Sequence, residues 1–271
     1  GRQRESLNFP IRGIFYYPWY PETWTVRGTH VFYNPNSGYY SSGDGDIQTK
    51  HVETLDYIHA DVAIASWFGP DTHRDRARLT NLMVKSKSIR TKWTVYHEEE
   101  FREDQSVDDL RQDLAYLKKW FVWRDTWAHV DNKPLIFVYN EGDCDVVNRW
   151  VEASRGEWYV VLKVFHERES CSSQPDGWHQ YGPSRGVHHH TGLSYSISPG
   201  FWRADAVNPA LARHSEGKWR QLVKDMVESD EPWQLIVSFN EWGEGTAIES
   251  AIGWESKTGY GYYVDALHDI H

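Results

Sequence analysis

The sequence predicts an α/β chain wound as a (β/α)8 barrel, and three observations predict it. Short apolar or β-branched runs alternate with longer amphipathic stretches, the pattern of βα units around a parallel sheet. Eight such short runs occur in order along the chain. The length, 271 residues, suits a barrel of this kind, which commonly takes about 250 residues.

The strand candidates are residues 13–17, 62–67, 93–97, 135–139, 159–165, a short run near Trp178, 194–198 and 235–239. Between them, residues 47–58, 74–88, 107–120, 146–153, 218–227 and 262–268 carry apolar positions at i, i+3 and i+4 and read as helices. Between Phe165 and Trp178, and between Tyr181 and Ser194, the chain is polar with Gly, Pro and Ser, so loops are expected where a regular barrel has helices. The barrel is therefore expected to be irregular on that side. With no internal repeat and no Pro-, Gly- or Ser-rich linker, one domain spanning residues 1–271 is expected. The long stretch from Tyr20 to Asp46 lacks a periodic pattern, and a loop of that length in a compact domain is usually functional. It is expected to roof the site.

A net charge of −10 argues against a nucleic-acid partner, because tracking phosphates needs clustered Lys and Arg. No apolar run is long enough to span a bilayer. The start, Gly1-Arg2-Gln3-Arg4-Glu5-Ser6, lacks a signal-peptide core, so an export signal would have been removed before residue 1. A monomer that is secreted, periplasmic or held at the cell surface is the expectation. The 15 Trp, 16 Tyr and 10 Phe include three blocks mixed with Gly, Pro and His, and flat rings of this kind suit the C–H faces of sugars.

Barrel active sites form where strands end, which selects the residues just after each apolar run. Those are Tyr16, Tyr17 and Trp19 after the first strand, Trp67 with Phe68 after the second, and Glu98 and Glu99 after the third. Tyr139 follows the fourth, Trp178, His179 and Tyr181 mark the sixth, Trp202 follows the seventh, and Asn240, Glu241, Trp242 and Glu244 follow the eighth. Carboxylates and aromatics dominate, as glycoside hydrolysis requires: one carboxyl group protonated, another ionised, and rings to hold the sugar. No Gly-x-Ser-x-Gly and no Cys–His pair stands at a strand end.

Glu241 and Glu244 lie three apart, which on a straight strand would put them on opposite faces. The backbone must therefore turn, and Gly243 and Gly245 permit it. Two carboxylates close together in a partly dry pocket separate their pKa values into an acid and a base. Of Glu98, Glu99 and Glu100, consecutive side chains cannot all face one pocket, and Glu98 or Glu99 is the expected substrate ligand.

His188-His189-His190 cannot easily converge on one ion from a regular element, so no metal is expected, and no cofactor. A loop with one useful His is the expectation there. Cys144 and Cys171 form one disulfide if the chain is exported; in a cytosolic enzyme the same pair would more often be two unrelated thiols.

The segment Phe239-Asn240-Glu241-Trp242-Gly243-Glu244-Gly245-Thr246-Ala247-Ile248-Glu249 resembles the terminal motif of glycoside hydrolase family 99, the endo-α-mannosidase and endo-α-mannanase family. Tyr16-Tyr17-Pro18-Trp19-Tyr20, Gly38-Tyr39-Tyr40-Ser41-Ser42, Ser66-Trp67-Phe68-Gly69, Asp176-Gly177-Trp178-His179-Gln180-Tyr181 and Ser198-Pro199-Gly200-Phe201 resemble further blocks of that family in the same order. The resemblance implies a metal-free (β/α)8 hydrolase acting with retention, and endo, on α-mannosidic links of an oligosaccharide or polysaccharide. Glu241 would be the base on the substrate's own 2-hydroxyl, giving a 1,2-anhydro sugar, and Glu244 the acid/base. Two departures stand out. Gly243 occupies the place of a family His, and Val95-Tyr96-His97-Glu98-Glu99-Glu100 replaces a His-Ile-Glu-Pro-Tyr segment in the region expected to contact the sugar. The alternatives are double displacement on a non-mannose glycan with Glu98 or Glu99 as nucleophile, and a non-catalytic carbohydrate-binding barrel.

Overall fold

The structure is a computed structural model that describes residues 5–70, 73–102 and 104–271. Its strands β1 (Ile11–Tyr16), β2 (Val62–Trp67), β3 (Lys92–His97), β4 (Lys133–Val138), β5 (Tyr159–Lys163), β6 (Gly177–His179), β7 (Ser194–Ile197) and β8 (Trp233–Ile236) follow one another around a barrel. Neighbours run parallel from β1 to β6, β8 pairs with β7, and β1 pairs with β8, with Ile11 opposite Trp233. No ladder joins β6 to β7. Across that seam the Ser196 hydroxyl donates to the Gln180 carbonyl (2.6 Å). The polar stretch before β7 is not only loop: Val187–His190 forms a strand antiparallel to β7, so the histidine run sits on a sheet edge and alternates across it. His189 meets Glu231 at 2.8 Å, while the His188 and His190 rings lie parallel.

Among the described residues a single helical turn, Glu99–Arg102, follows β3, and six longer helices, α1 (Gly45–Tyr57), α2 (His73–Lys85), α3 (Val107–Leu117), α4 (Cys144–Ser154), α5 (Glu216–Glu228) and α6 (Tyr262–Asp269), cover the outside. Their starts follow from local chemistry. Asp44 caps α1 by accepting from the amides of Asp46 and Ile47, and Ser106 with Asp109 forms a reciprocal capping box on α3. Between β5 and β6 the only regular turn among the described residues is Arg168–Ser170, and Cys144 at the start of α4 is joined there to Cys171 by a disulfide.

Two apolar layers result from the period of two along each strand. Ile11, Phe15, Tyr17, Ile64, Tyr96, Leu135, Phe137, Val161, Tyr181, Leu235 and Val237 fill the barrel. Their chain neighbours Ile14, Tyr16, Ala63, Trp67, Trp93, Val95, Ile136, Trp178 and Phe239 face the helices. Arg12, facing outward from β1, donates to the carbonyls of Ile58, Leu267 and Ile270 and so satisfies the ends of α1 and α6 at the barrel's lower rim. Among the described residues no helix is long and apolar enough to cross a membrane.

Candidate active site

At the C-terminal ends of the strands lies a cavity of about 610 Å3. Tyr17 and Trp19 enter from β1, Phe68 from β2, Glu98 and Phe101 from β3, Tyr139 from β4 and Tyr181 from β6. Arg203 comes from the segment after β7, and Glu241, Gly243 and Glu244 from the segment after β8. The roof is Thr23, Thr25 and Val26, the last two belonging to a small hairpin (Thr25–Val26 with Thr29–His30) in the long first loop.

The turn after β8 is held from all sides. Its Glu241 amide donates to the Ser238 hydroxyl (2.8 Å), the Gly243 amide donates to Glu241 Oε1 (3.0 Å), and the Thr246 amide returns to the Glu241 carbonyl (3.2 Å). Gly245 adopts φ +66°, a conformation that favours glycine. Gly243 has an ordinary φ but little room: a Cβ there would stand 3.0 Å from Val26 Cγ2 and 3.1 Å from Glu241 Oε1, so a side chain would press on the roof and on the carboxyl. From the neighbouring segment, the Trp202 amide donates to the Glu244 carbonyl and the Ala204 amide to the Gly243 carbonyl. The Arg213 guanidinium donates to the carbonyls of Gly245 and Ala247 (2.9 Å each).

Burial raises the Glu241 carboxyl well above its ordinary value; the Glu244 charge adds to this, while the Gly243 and Glu244 amides oppose it. Glu244 is raised by burial too, against the nearby Arg203 cation. Glu98, to which the Ser66 hydroxyl donates, is pushed up to about 8, chiefly by burial and further by the Glu244 charge. Three carboxyl groups thus face one cavity, and the Glu241–Glu244 pair gives up its protons in two linked steps.

Several residues expected at the site lie elsewhere, and strand parity explains most of them. Tyr16 faces α1, with its hydroxyl 2.8 Å from His51 Nδ1. Trp178 likewise faces outward, against Phe165 and Gln174. His179 points inward but lies a layer too deep, between Tyr96 and the Leu162 carbonyl, where burial lowers its pKa to about 3. Trp242 is wholly buried against Trp254 and Glu249. Asn240 is also fully buried, and clamps Tyr17 by accepting from its amide (2.7 Å) and donating to its carbonyl (3.0 Å). Glu99 lies against Gly69, and Glu100 pairs with Arg149. Trp202 stacks on Phe32 outside the cavity. Trp67 lines an adjoining cavity of about 390 Å3, which shares Trp19, Thr23 and Phe68 with the first.

Sequence reasoning missed Phe101 and Arg203. Phe101 follows the glutamate run by one residue, and Arg203 follows Trp202; both were within reach of the strand-end filter had it been carried one or two positions further. Arg203 is fixed by Asp205, with Nε to Oδ1 at 3.1 Å and Nη2 to Oδ2 at 3.2 Å.

No protein-family model and no curated protein matches the chain. Among solved structures it is similar to the GH99 endo-α-mannosidase from Bacteroides thetaiotaomicron, in complex with BIS-TRIS-propane, at TM-score 0.74 and 19% identity, covering 96% of this chain and 95% of that one. Another structure of the GH99 endo-α-mannosidase from Bacteroides thetaiotaomicron gives TM-score 0.74 and 18% identity, covering 96% of each chain. A glycoside hydrolase-like protein gives TM-score 0.65 at 13% identity, covering 98% of this chain and 94% of that one. At these identities the likeness is one of fold, and it falls on the family that the sequence motifs resemble.

Proposed function

We propose that the protein is a retaining glycoside hydrolase acting within an α-linked glycan, with α-mannosidic chains as the first substrate class to test. The observation that carries this reading is the meeting of Glu241 and Glu244 in one cavity among Tyr17, Trp19, Phe68, Tyr139 and Tyr181. The fold likeness and the motif resemblance support it.

In this reading the pair enters the reaction singly protonated. Glu241 takes the proton of the substrate's 2-hydroxyl as O2 attacks the anomeric carbon, and Glu244 gives its proton to the departing glycosidic oxygen. The glycosidic bond breaks as the anhydro ring closes. Glu244 then takes a proton from water, whose oxygen opens the ring at the anomeric carbon, and Glu241 returns its proton to O2. Two inversions leave the configuration retained. Neighbouring-group attack gains from being intramolecular, and the Gly243 and Glu244 amides offset part of the burial and of the Glu244 charge that together raise Glu241, so the base role calls for a Glu241 that has passed its proton on before O2 attacks.

Glu98 suits a different part. With its carboxyl raised to about 8 it is protonated at neutral pH, a poor nucleophile for double displacement but a good donor to a sugar hydroxyl. Export to the cell exterior, and a monomeric single domain, belong to the same proposal.

Product release from a panel of α-mannans and other α-linked glycans tests the assignment. Glu241→Gln and Glu244→Gln should each lower kcat roughly 100- to 10,000-fold with the fold intact. Unchanged turnover in both variants rejects it, and absence of turnover in the wild type on every α-linked glycan favours a binding barrel instead.

A further inference from the structure

On the face opposite the active site, where strands begin, a second kind of site is built. Helix α3 continues into a π-helical turn, Lys118–Val122, and wide turns of this sort recur at functional positions. The next residue, Trp123, is 56% exposed, a large ring set out in solvent. Beside it opens a hollow of about 360 Å3 lined by Met83, Lys87, Lys92, Trp123, Arg124 and Asp125, with Thr126 at its floor. That volume is within the usual range of roughly 300–1,000 Å3 for small-molecule sites.

The charge of the hollow is the telling feature. Lys87 comes from the turn Ser86–Ser88, Lys92 opens β3, and Arg124 follows the π-helical turn, so three separate chain segments deliver a cation to one place. Among the described residues none of the three has a carboxylate within salt-bridge distance. The buried Arg124 Nε has no hydrogen-bond partner, although its guanidinium lies 4.4 Å from the Trp123 ring centroid. Asp125 is the single acidic residue lining the hollow. In a protein of net charge −10, unpaired cations gathered at one aromatic plate mark local affinity for an anion against the general field.

We propose that this hollow is a binding site for an anionic saccharide, a short stretch of chain bearing carboxylate or sulfate groups. Trp123, 56% exposed with the Arg124 guanidinium over part of its ring, presents its exposed part to a sugar's C–H face, and cations from three directions suit charge repeated from one sugar to the next. Lys92 begins the strand that Glu98 follows, so the hollow stands about 20 Å from the carboxylates, at 3.3 Å per residue over six residues. Binding here is therefore independent of the catalytic reading.

Calorimetric titration of the full chain tests this with four probes: an oligogalacturonate, a sulfated heparin-derived oligosaccharide, a neutral mannan oligosaccharide and ATP. At least one of the two anionic oligosaccharides should bind, about tenfold or more weakly after Trp123→Ala and again after Lys87→Ser with Arg124→Gln, and more weakly in high salt. Which of the two binds tells carboxylate from sulfate. Circular dichroism melts of the variants should stay within a few degrees of the wild type, since Trp123 is largely exposed and the half-buried Arg124 holds no salt bridge among the described residues that its loss would break. Failure of both anionic probes, equal binding by the variants, or tighter binding of ATP or of the neutral oligosaccharide would each overturn the proposal.

Discussion

Asn240 shows how much one side chain can hold. It is fully buried between the turn after β8 and the start of the loop after β1, bonded to both the amide and the carbonyl of Tyr17 and to the Tyr40 hydroxyl. Tyr20 ties the same turn by donating to the Asn240 carbonyl (2.6 Å) and accepting from the Trp242 amide (3.1 Å). Replacing Asn240 with Ala leaves a buried amide and carbonyl unpaired at about 1–3 kcal/mol for each group. Asn240→Ala should therefore lower the denaturation midpoint in urea and also reduce kcat, because Tyr17 lines the cavity. Unaltered stability would show that water replaces the amide. At this scale the sequence was only half legible. Each strand end is legible in the sequence, but it does not separate consecutive residues such as Tyr16 and Tyr17, of which the period of two sends one outward and the other inward. Parity needs a fixed register, and register comes from neighbouring strands, which no single segment displays.

Elements were read more fully than residues, because periodicity is a property of a segment. The six amphipathic runs became α1 to α6, and the eight apolar runs became β1 to β8. The stretch before β7 was missed as a strand because Val187-His188-His189-His190 is polar; an edge strand with one open face needs no apolar alternation. The disulfide belongs to this scale also. It ties the start of α4 to the segment that stands where a barrel helix would, closing a loop with a separation of 27 residues. Loop-closure entropy of that length is worth about 3 kcal/mol. Cys144→Ser with Cys171→Ser should lower Tm by roughly 5–10 °C, measured by calorimetry without reductant. A shift under one degree would mean that the packing of α4 alone fixes that segment.

For the whole molecule, the three buried carboxyl groups set the response to pH. Glu98 titrates in the folded protein near 8, well above the unfolded value of about 4.3. The folded state therefore holds this proton more tightly than the unfolded state. That preference stabilises fully below the unfolded pKa and is lost as pH rises from about 4.3 toward 8. Glu98→Gln, which cannot ionise, should melt at a higher temperature than the wild type at pH 9 and close to it at pH 4. Equal melting at both values would mean that Glu98 is solvated. Since Glu241 and Glu244 are raised as well, kcat/KM should follow a bell displaced upward from the ordinary carboxylate range. The barrel itself was the most legible feature of the sequence, whereas the depth of the cavity was not. His179 carries the right chemistry and lies below the floor, and depth depends on how the layers of inward side chains stack.

The main-chain bonds between residues 202–204 and 243–244, with the reach of Arg213 to Gly245 and Ala247, make two segments one part. A graft of the acidic turn into another barrel would have to carry residues 199–213 along with 238–249, since the turn alone arrives with its carbonyls bare and the other half with its donors bare. For the same reason, lengthening the segment after β7 would move the Glu244 backbone together with the cavity wall, and under the proposed function substrate range and acid strength would then change together.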